Sequence, residues 1–300
     1  QILAESGLLT LSNDKLFELS AFWKQYLENP NPAQIPYDLK STKPQSDEKA
    51  RATRLIHQHN IDQIDQFTKA NECTKFHLFY LAFNLLIGKQ SDGHDVITSF
   101  ESHGRQDLNN ASRALGLFST ALVLRTKLDD SITMRQLLSS IKRDAEQCIA
   151  HQHYPYDRII KDANINPRYS FNWFPKYTPP KLNGLEISQE SYLNWQSSFD
   201  LNLHCYTQDE GVSLELFYNP DIFDASRVEV FLEQLEHIVQ QIVADVSRDV
   251  SSIRLYTSKT DDILPDVKDT FSAKIQQRID EDFYHQAKQH AQNIALSFFD

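Results

Sequence analysis

Two runs of period-two alternation lie close together in the second half of the chain, and a long run of helical period follows at once. Residues 199–206 (FDLNLHCY) are apolar at every second position. Residues 212–218 (VSLELFY) set Val212, Leu214, Leu216 and Tyr218 against Ser213, Glu215 and Phe217. A short polar turn holding Gly211 separates them, which predicts an antiparallel hairpin. Then Val228, Phe231, Leu232, Leu235, Ile238, Val239, Ile242 and Val243 fall on one face of a helix, with Asp224 where an N-cap belongs. A hairpin and a long amphipathic helix must share one core, so the chain is expected to build a sheet with helices packed on it.

The rest of the chain fits that expectation. Helical spacing runs through 14–27, 61–70, 76–87 and 134–149, with Ser131 the expected N-cap of the last. Strands are expected at 96–100, 121–126 and 169–174, and residues 29–50 read as an exposed crossing loop. The order is not a strict strand–helix alternation, so the fold class is α/β (α+β) with a mixed sheet. After 256 the pattern weakens. Residues 257–270 read as a linker, 272–289 as a helix and 294–299 as a short strand.

Composition excludes several functions. A net charge of -11 argues against a nucleic-acid or anionic-membrane surface. The longest apolar run, FHLFYLAFNLLI at 76–87, is too short to span a bilayer and reads as a buried helix. Three dispersed cysteines, Cys73, Cys148 and Cys205, form no CxxC and are expected to be reduced, mostly buried thiols of a cytoplasmic protein. The sequence opens without Met and stops within the SFFD pattern, and is expected to be a segment of a longer polypeptide.

There is no GxGxxG, P-loop or GxSxG. Two HQH triplets, His57 with His59 and His151 with His153, have no third ligand at a familiar spacing, and no metal is expected.

Seven segments, in order, carry a resemblance: AFWKQYLENP (21–30), IPYD (35–38), VITSFESHGR (96–105), GLFSTALVLR (116–125), HQHYPYDRII (151–160), FDLNLHCY (199–206) and LELFYNPDIFD (214–224). Together they resemble the C-terminal half of a condensation domain of nonribosomal peptide synthetases. FYHQAKQHAQNIAL (283–296) resembles the opening of an adenylation domain. The resemblance implies residues 1–256 as a condensation-domain C-terminal lobe with its preceding helix, 257–270 as a linker and 271–300 as the start of an adenylation domain. It implies a chloramphenicol acetyltransferase-like fold, and a whole enzyme that joins two carrier-tethered acyl groups by an amide. The partners implied are peptidyl or acyl carrier proteins, an N-terminal condensation lobe and an adenylation domain, with phosphopantetheine on the carriers and no cofactor bound directly.

The family's catalytic HHxxxDG histidine is absent from this sequence, so no catalytic residue is expected here. The resemblance implies that His103, Gly104, Arg105, Ser119 and Thr120 lie near the substrate tunnel. Gly104 would permit close backbone approach, Arg105 would hold the loop, and His103 is the residue there able to titrate near neutrality. ESHGR and Thr120, which stands at the family's usual Asn, lean toward epimerization domains. The alternatives are therefore an epimerization-type lobe, or a non-catalytic module that binds carriers.

Overall fold

The computed structural model describes residues 12–38, 49–105, 116–178, 184, 197–256, 284 and 287–292. The chain divides into two compact units, 1–255 and 256–300.

The first unit is built on a six-stranded mixed sheet. The strands are β1 (Ala50–His57), β2 (Asp95–Ser102), β3 (Thr120–Lys127), β4 (Tyr169–Phe174), β5 (Leu201–Gln208) and β6 (Gly211–Tyr218), in the order β1-β6-β5-β4-β2-β3. β4 lies parallel to both β2 and β5, and the other pairs are antiparallel. The helices are α1 (Asn13–Tyr26), α2 (Gln58–Ala70), α3 (Lys75–Ser91), α4 (Met134–Ala150), α5 (Tyr156–Asp162) and α6 (Ala225–Ala244).

α3 is the centre of the core. Every residue from Leu78 to Gly88 is buried, as a helix with no polar face requires. Phe76, Phe79, Tyr80 and Phe83 carry its packing onto Phe171 and Trp173 of β4. Asn84 is tolerated there because both ends of its carboxamide are used. Nδ2 donates to the Tyr80 carbonyl (2.7 Å), and Oδ1 accepts from Thr98 Oγ1 (3.1 Å).

The expected hairpin is present, with β5 and β6 in register from Leu201↔Tyr218 to Gln208↔Gly211. Gly211 is the first residue of β6 rather than a turn residue. Its φ is +144°, and a Cβ there would stand 1.9 Å from the Ile56 carbonyl oxygen of β1. Asp224 caps α6 through Ser226 N–H, as expected.

Two further expectations are corrected. Ser131 does not cap α4: its N–H and hydroxyl both bond Asp129, and Thr133 takes the cap instead. Thr133 Oγ1 accepts from Gln136 N–H (3.3 Å) while Gln136 Oε1 accepts from Thr133 N–H (2.8 Å), a capping box. The crossing loop ends in a strand, since β1 begins at Ala50 and pairs along its whole length with β6. The HQHYPYDRII motif runs from the end of α4 into the short helix α5, which Pro155 opens.

A buried ion pair ties the first helix to the sheet. Arg125 of β3 meets Asp95 of β2 through two 2.7 Å hydrogen bonds and donates to the Glu28 and Asn29 carbonyls just past α1. Burial alone would push the Asp95 carboxyl up, but hydrogen bonds from Arg125 and the Asn31 N–H outweigh it and hold the group below its ordinary value. Tyr26 of α1 satisfies β3 as well, its hydroxyl accepting from Arg125 N–H (2.8 Å) and donating to the Arg125 carbonyl (3.2 Å).

Cys148 and Cys205 are buried, Cys73 is half-buried, and all three are free. No described helix is long and apolar enough to cross a membrane. In the second unit the described residues are helical at 284 and 287–289; the expected linker and strand lie outside the described residues, as does most of the expected helix.

Candidate functional site

β2 and β3 are antiparallel, with Ser102 opposite Thr120, so the end of β2 and the start of β3 face each other. The expected site residues flank that junction. Gly104 has φ +64°, and a Cβ there would meet the Phe118 carbonyl oxygen at 1.9 Å, a position only glycine fills without backbone movement. The Arg105 guanidinium lies 4.2 Å from the centre of the Phe118 ring and donates to the Gly116 carbonyl (3.4 Å). Glycine and arginine therefore clasp the two arms of the junction together. Residues 106–115, between the arms, lie outside the described residues.

His103 is exposed, and its Nδ1 accepts the Arg105 backbone N–H at 3.1 Å. Ser119 is exposed and Thr120 half-buried at the head of β3. The five residues thus share one end of the sheet, and the Arg105 guanidinium lies over an aromatic ring there.

Two side chains that sequence reasoning passed over join this end to the HQHYPYD segment. Ser102 Oγ donates to Gln152 Oε1 (2.7 Å), and Ser99 Oγ lies 2.7 Å from the Tyr156 hydroxyl. The signal was present as a polar Gln and Tyr at fixed places in a quoted motif, but only the fold brings them to β2. Burial raises the Tyr156 hydroxyl above its ordinary value, so it stays protonated at neutral pH.

The HQH triplets do other work. The His151 ring stacks on Phe22 of α1 at 3.7 Å, its Nδ1 lies 2.8 Å from the Gln147 carbonyl, and its own carbonyl accepts from Trp23 Nε1. His57 is the N-cap residue of α2. Among the described residues no group of three or more His, Cys, Asp or Glu stands in metal-binding proximity.

A further histidine, not singled out in the sequence, sits inside a strand. His204 of β5 is 1% exposed, between Phe174 and Phe217, with Nδ1 3.0 Å from the Tyr206 hydroxyl. Burial pulls its pKa down to about 4, so the ring is neutral at physiological pH.

A six-stranded mixed sheet with helices packed against it, carrying a glycine–arginine junction at one end, defines a chloramphenicol acetyltransferase-like fold. Residues 10–264 match the family described as Condensation domain, so the chain belongs to the condensation-domain family of nonribosomal peptide synthetases. It is 24% identical over 225 residues to tyrocidine synthase 3 of Brevibacillus parabrevis, a match covering 71% of this chain and 3% of that protein. It resembles the X-domain solved in complex with OxyB from teicoplanin biosynthesis, with a TM-score of 0.71 at 16% identity, covering 81% of this chain and 56% of that one. A four-domain nonribosomal peptide synthetase, holo-AB3403, solved bound to AMP and glycine, superposes with a TM-score of 0.70 at 20% identity, over 94% of this chain and 23% of that one. The chain therefore spans a small part of the synthetases it matches and little more than half of the solved X-domain chain.

Proposed function

We propose that residues 1–256 act as the C-terminal lobe of a condensation domain, in an enzyme that joins two carrier-tethered groups by an amide. The acceptor amine attacks the donor thioester carbonyl, the C–N bond forms as the C–S bond breaks, and the departing sulfur takes up the proton the amine gives away. The base for that proton belongs to the HHxxxDG motif, which this sequence does not contain. The lobe supplies the tunnel wall: Gly104 and Arg105 hold the junction closed, and His103, Ser119 and Thr120 lie beside the substrate path. Residues 257–270 link it to an adenylation domain that opens at 271. Its partners are carrier proteins bearing phosphopantetheine arms, with the missing lobe and the adenylation domain of the same synthetase.

The observation that carries the reading is the match of 10–264 to the condensation family, together with a superposition that covers 56% of a solved relative's chain. Leu117, 91% exposed, and Tyr177, half exposed, stand at the same end of the sheet as the junction and offer apolar surface to a second lobe. The test supplies the chain with two loaded carrier proteins. No dipeptide is expected from the chain alone, and product is expected once an HHxxxDG lobe is added in trans; dipeptide from the chain alone overturns the reading.

A second reading is favoured by ESHGR at 101–105 and by Thr120: an epimerization-type lobe that inverts the α-carbon of a tethered residue. Solvent deuterium entering that carbon on a loaded carrier, with the second lobe supplied, would decide for it.

A further inference from the structure

β2 and β4 run parallel, yet their pairing is confined to two positions, Thr98↔Tyr169 and Ser99↔Ser170. Both strands go on, β2 to Ser102 and β4 to Phe174. Continued in that register, Glu101 would stand opposite Asn172. The Glu101 N–H does find Asn172, but through the side chain, whose Oδ1 accepts it at 3.0 Å. A side chain therefore stands where a ladder would offer backbone. On its other edge β2 stays paired with β3 as far as Ser102↔Thr120.

The segment that joins α4 to α5 holds the same stretch. Ser99 and Ser102 lie three residues apart, so alternation sets them on opposite faces of β2. The turn after α4 and the start of α5 reach both. The Tyr156 hydroxyl lies 2.7 Å from Ser99 Oγ, and Gln152 Oε1 accepts from Ser102 Oγ at 2.7 Å. Ser99, Ser102 and Gln152 are each more than nine-tenths buried. Gln152 is itself held at its base, since its N–H donates to the Ile149 carbonyl in the last turn of α4 (3.1 Å).

The hydrogen bonds continue past Ser102. A serine hydroxyl has one proton to give and lone pairs to accept with. Gln152 takes the proton, so the lone pairs of Ser102 Oγ are left to the Gly104 N–H, 3.4 Å away. Donation to Gln152 also polarises the hydroxyl and makes it the better acceptor. Gly104 is the left-handed residue between His103 and Arg105. The relay thus runs from the end of α4 through Gln152 and Ser102 to the turn of the junction.

We propose that Gln152 is a positioning residue for the β2–β3 junction: by orienting the Ser102 hydroxyl it fixes the turn that carries His103, Gly104 and Arg105. Beyond Ser99 no ladder to β4 holds the strand, so a single buried carboxamide governs where its end lies. The consequence for activity rests on the condensation reading, which sets His103 beside the substrate path. Gln152 acts there only through Ser102.

The test uses the full 300-residue chain. Exchange of the Gly104 amide, followed by NMR, is expected to quicken about tenfold in Gln152→Met and in Ser102→Ala, the loss of one hydrogen bond. The double variant is expected to be no faster than either single, because both cut one relay. Gln152→Glu keeps an oxygen in place and is expected to hold the parent rate. An unchanged Gly104 rate in the folded variants, or additive effects, would overturn the proposal; Ser102→Ala decides should Gln152→Met not fold. With loaded carriers and an HHxxxDG lobe in trans, Gln152→Met is expected to lower kcat about tenfold at unchanged KM, and Gln152→Glu to restore it. An unchanged kcat overturns the positioning role. No product from the parent chain sinks the condensation reading instead, and the exchange rates then judge the relay alone.

Discussion

At the scale of single residues the sheet holds its polarity in two ways. Arg125 and Asp95 pay for burial with a complete set of partners, five hydrogen bonds from the guanidinium and acceptance by both carboxylate oxygens. His204 is buried instead as a neutral ring. Its neighbours are the Tyr206 hydroxyl, the Phe174 and Phe217 rings, and Glu215 across the hairpin, whose carboxylate is drawn 3.1 Å from Arg51. The sign of the resulting pH dependence follows from its depressed pKa. The unfolded histidine takes a proton near pH 6.5 and the folded one only near 4, so between those values the unfolded state binds more protons and stability falls as pH falls. The full effect is on the order of 3 kcal/mol. Denaturant titrations at pH 6.5 and 4.5 should show His204→Gln losing less stability across that interval than the parent; equal losses would mean that another group governs the slope. Neither role was legible in the sequence. In the sequence Arg125 is only the last residue of GLFSTALVLR, and His204 only a member of a strand. Alternation did announce that Asn202 and His204 share a face, but not that the face is closed to water.

At the scale of elements, what was legible is what local chemistry decides. The helices α1, α3, α4 and α6 and the β5–β6 hairpin follow from their periodicity and from caps such as Asp224. β1 was missed because ARATRLIH carries charges where a strand should be plain. Those charges are satisfied only in three dimensions, Arg51 by Glu215 of β6 and Arg54 by Glu233 and Glu236 of α6. Ser131 is a good cap by residue type, but so is Thr133, and the Gln136 that completes the capping box with Thr133 decides between them. The junction between β2 and β3 was legible in part, since a glycine before an arginine signals an unusual backbone, but its reason is the Phe118 carbonyl across the strand pair. Gly104→Ala must place a left-handed alanine against that carbonyl. It is expected to destabilise the fold by about 1–3 kcal/mol and to release Arg105 from the Phe118 ring. Guanidinium unfolding measures the first effect and the loss of the Phe118 ring-current shift on the Arg105 side-chain protons the second. An unchanged midpoint with an unchanged shift would show that the junction is not held by this glycine.

At the scale of the whole molecule, the topology makes the chain fold late. Among the described residues β1 is the first strand in sequence, yet its only neighbour in the sheet is β6, the last; β4 sits between β2 and β5 and joins the two halves by parallel pairing. α3, the core helix, packs against α6, which follows every strand of the six-stranded sheet. Local contacts cannot close such a core, and the loop entropy of bringing β1 to β6 is met before the pairing rewards it. A chain ended at Asp200 keeps β1 to β4 and α1 to α5, two thirds of the length, but leaves β1 without a partner, β4 with one open side and α3 without α6. It is therefore expected to show no cooperative thermal transition by circular dichroism, whereas a chain ended at Tyr256 is expected to melt cooperatively. A cooperative melt of the 1–200 chain near the midpoint of the longer one would show that β2, β3 and β4 form a self-sufficient core. The contribution of the β5–β6 hairpin, the most legible element in the sequence, would then be to shape the face that carries Asn202 and His204 rather than to complete the fold.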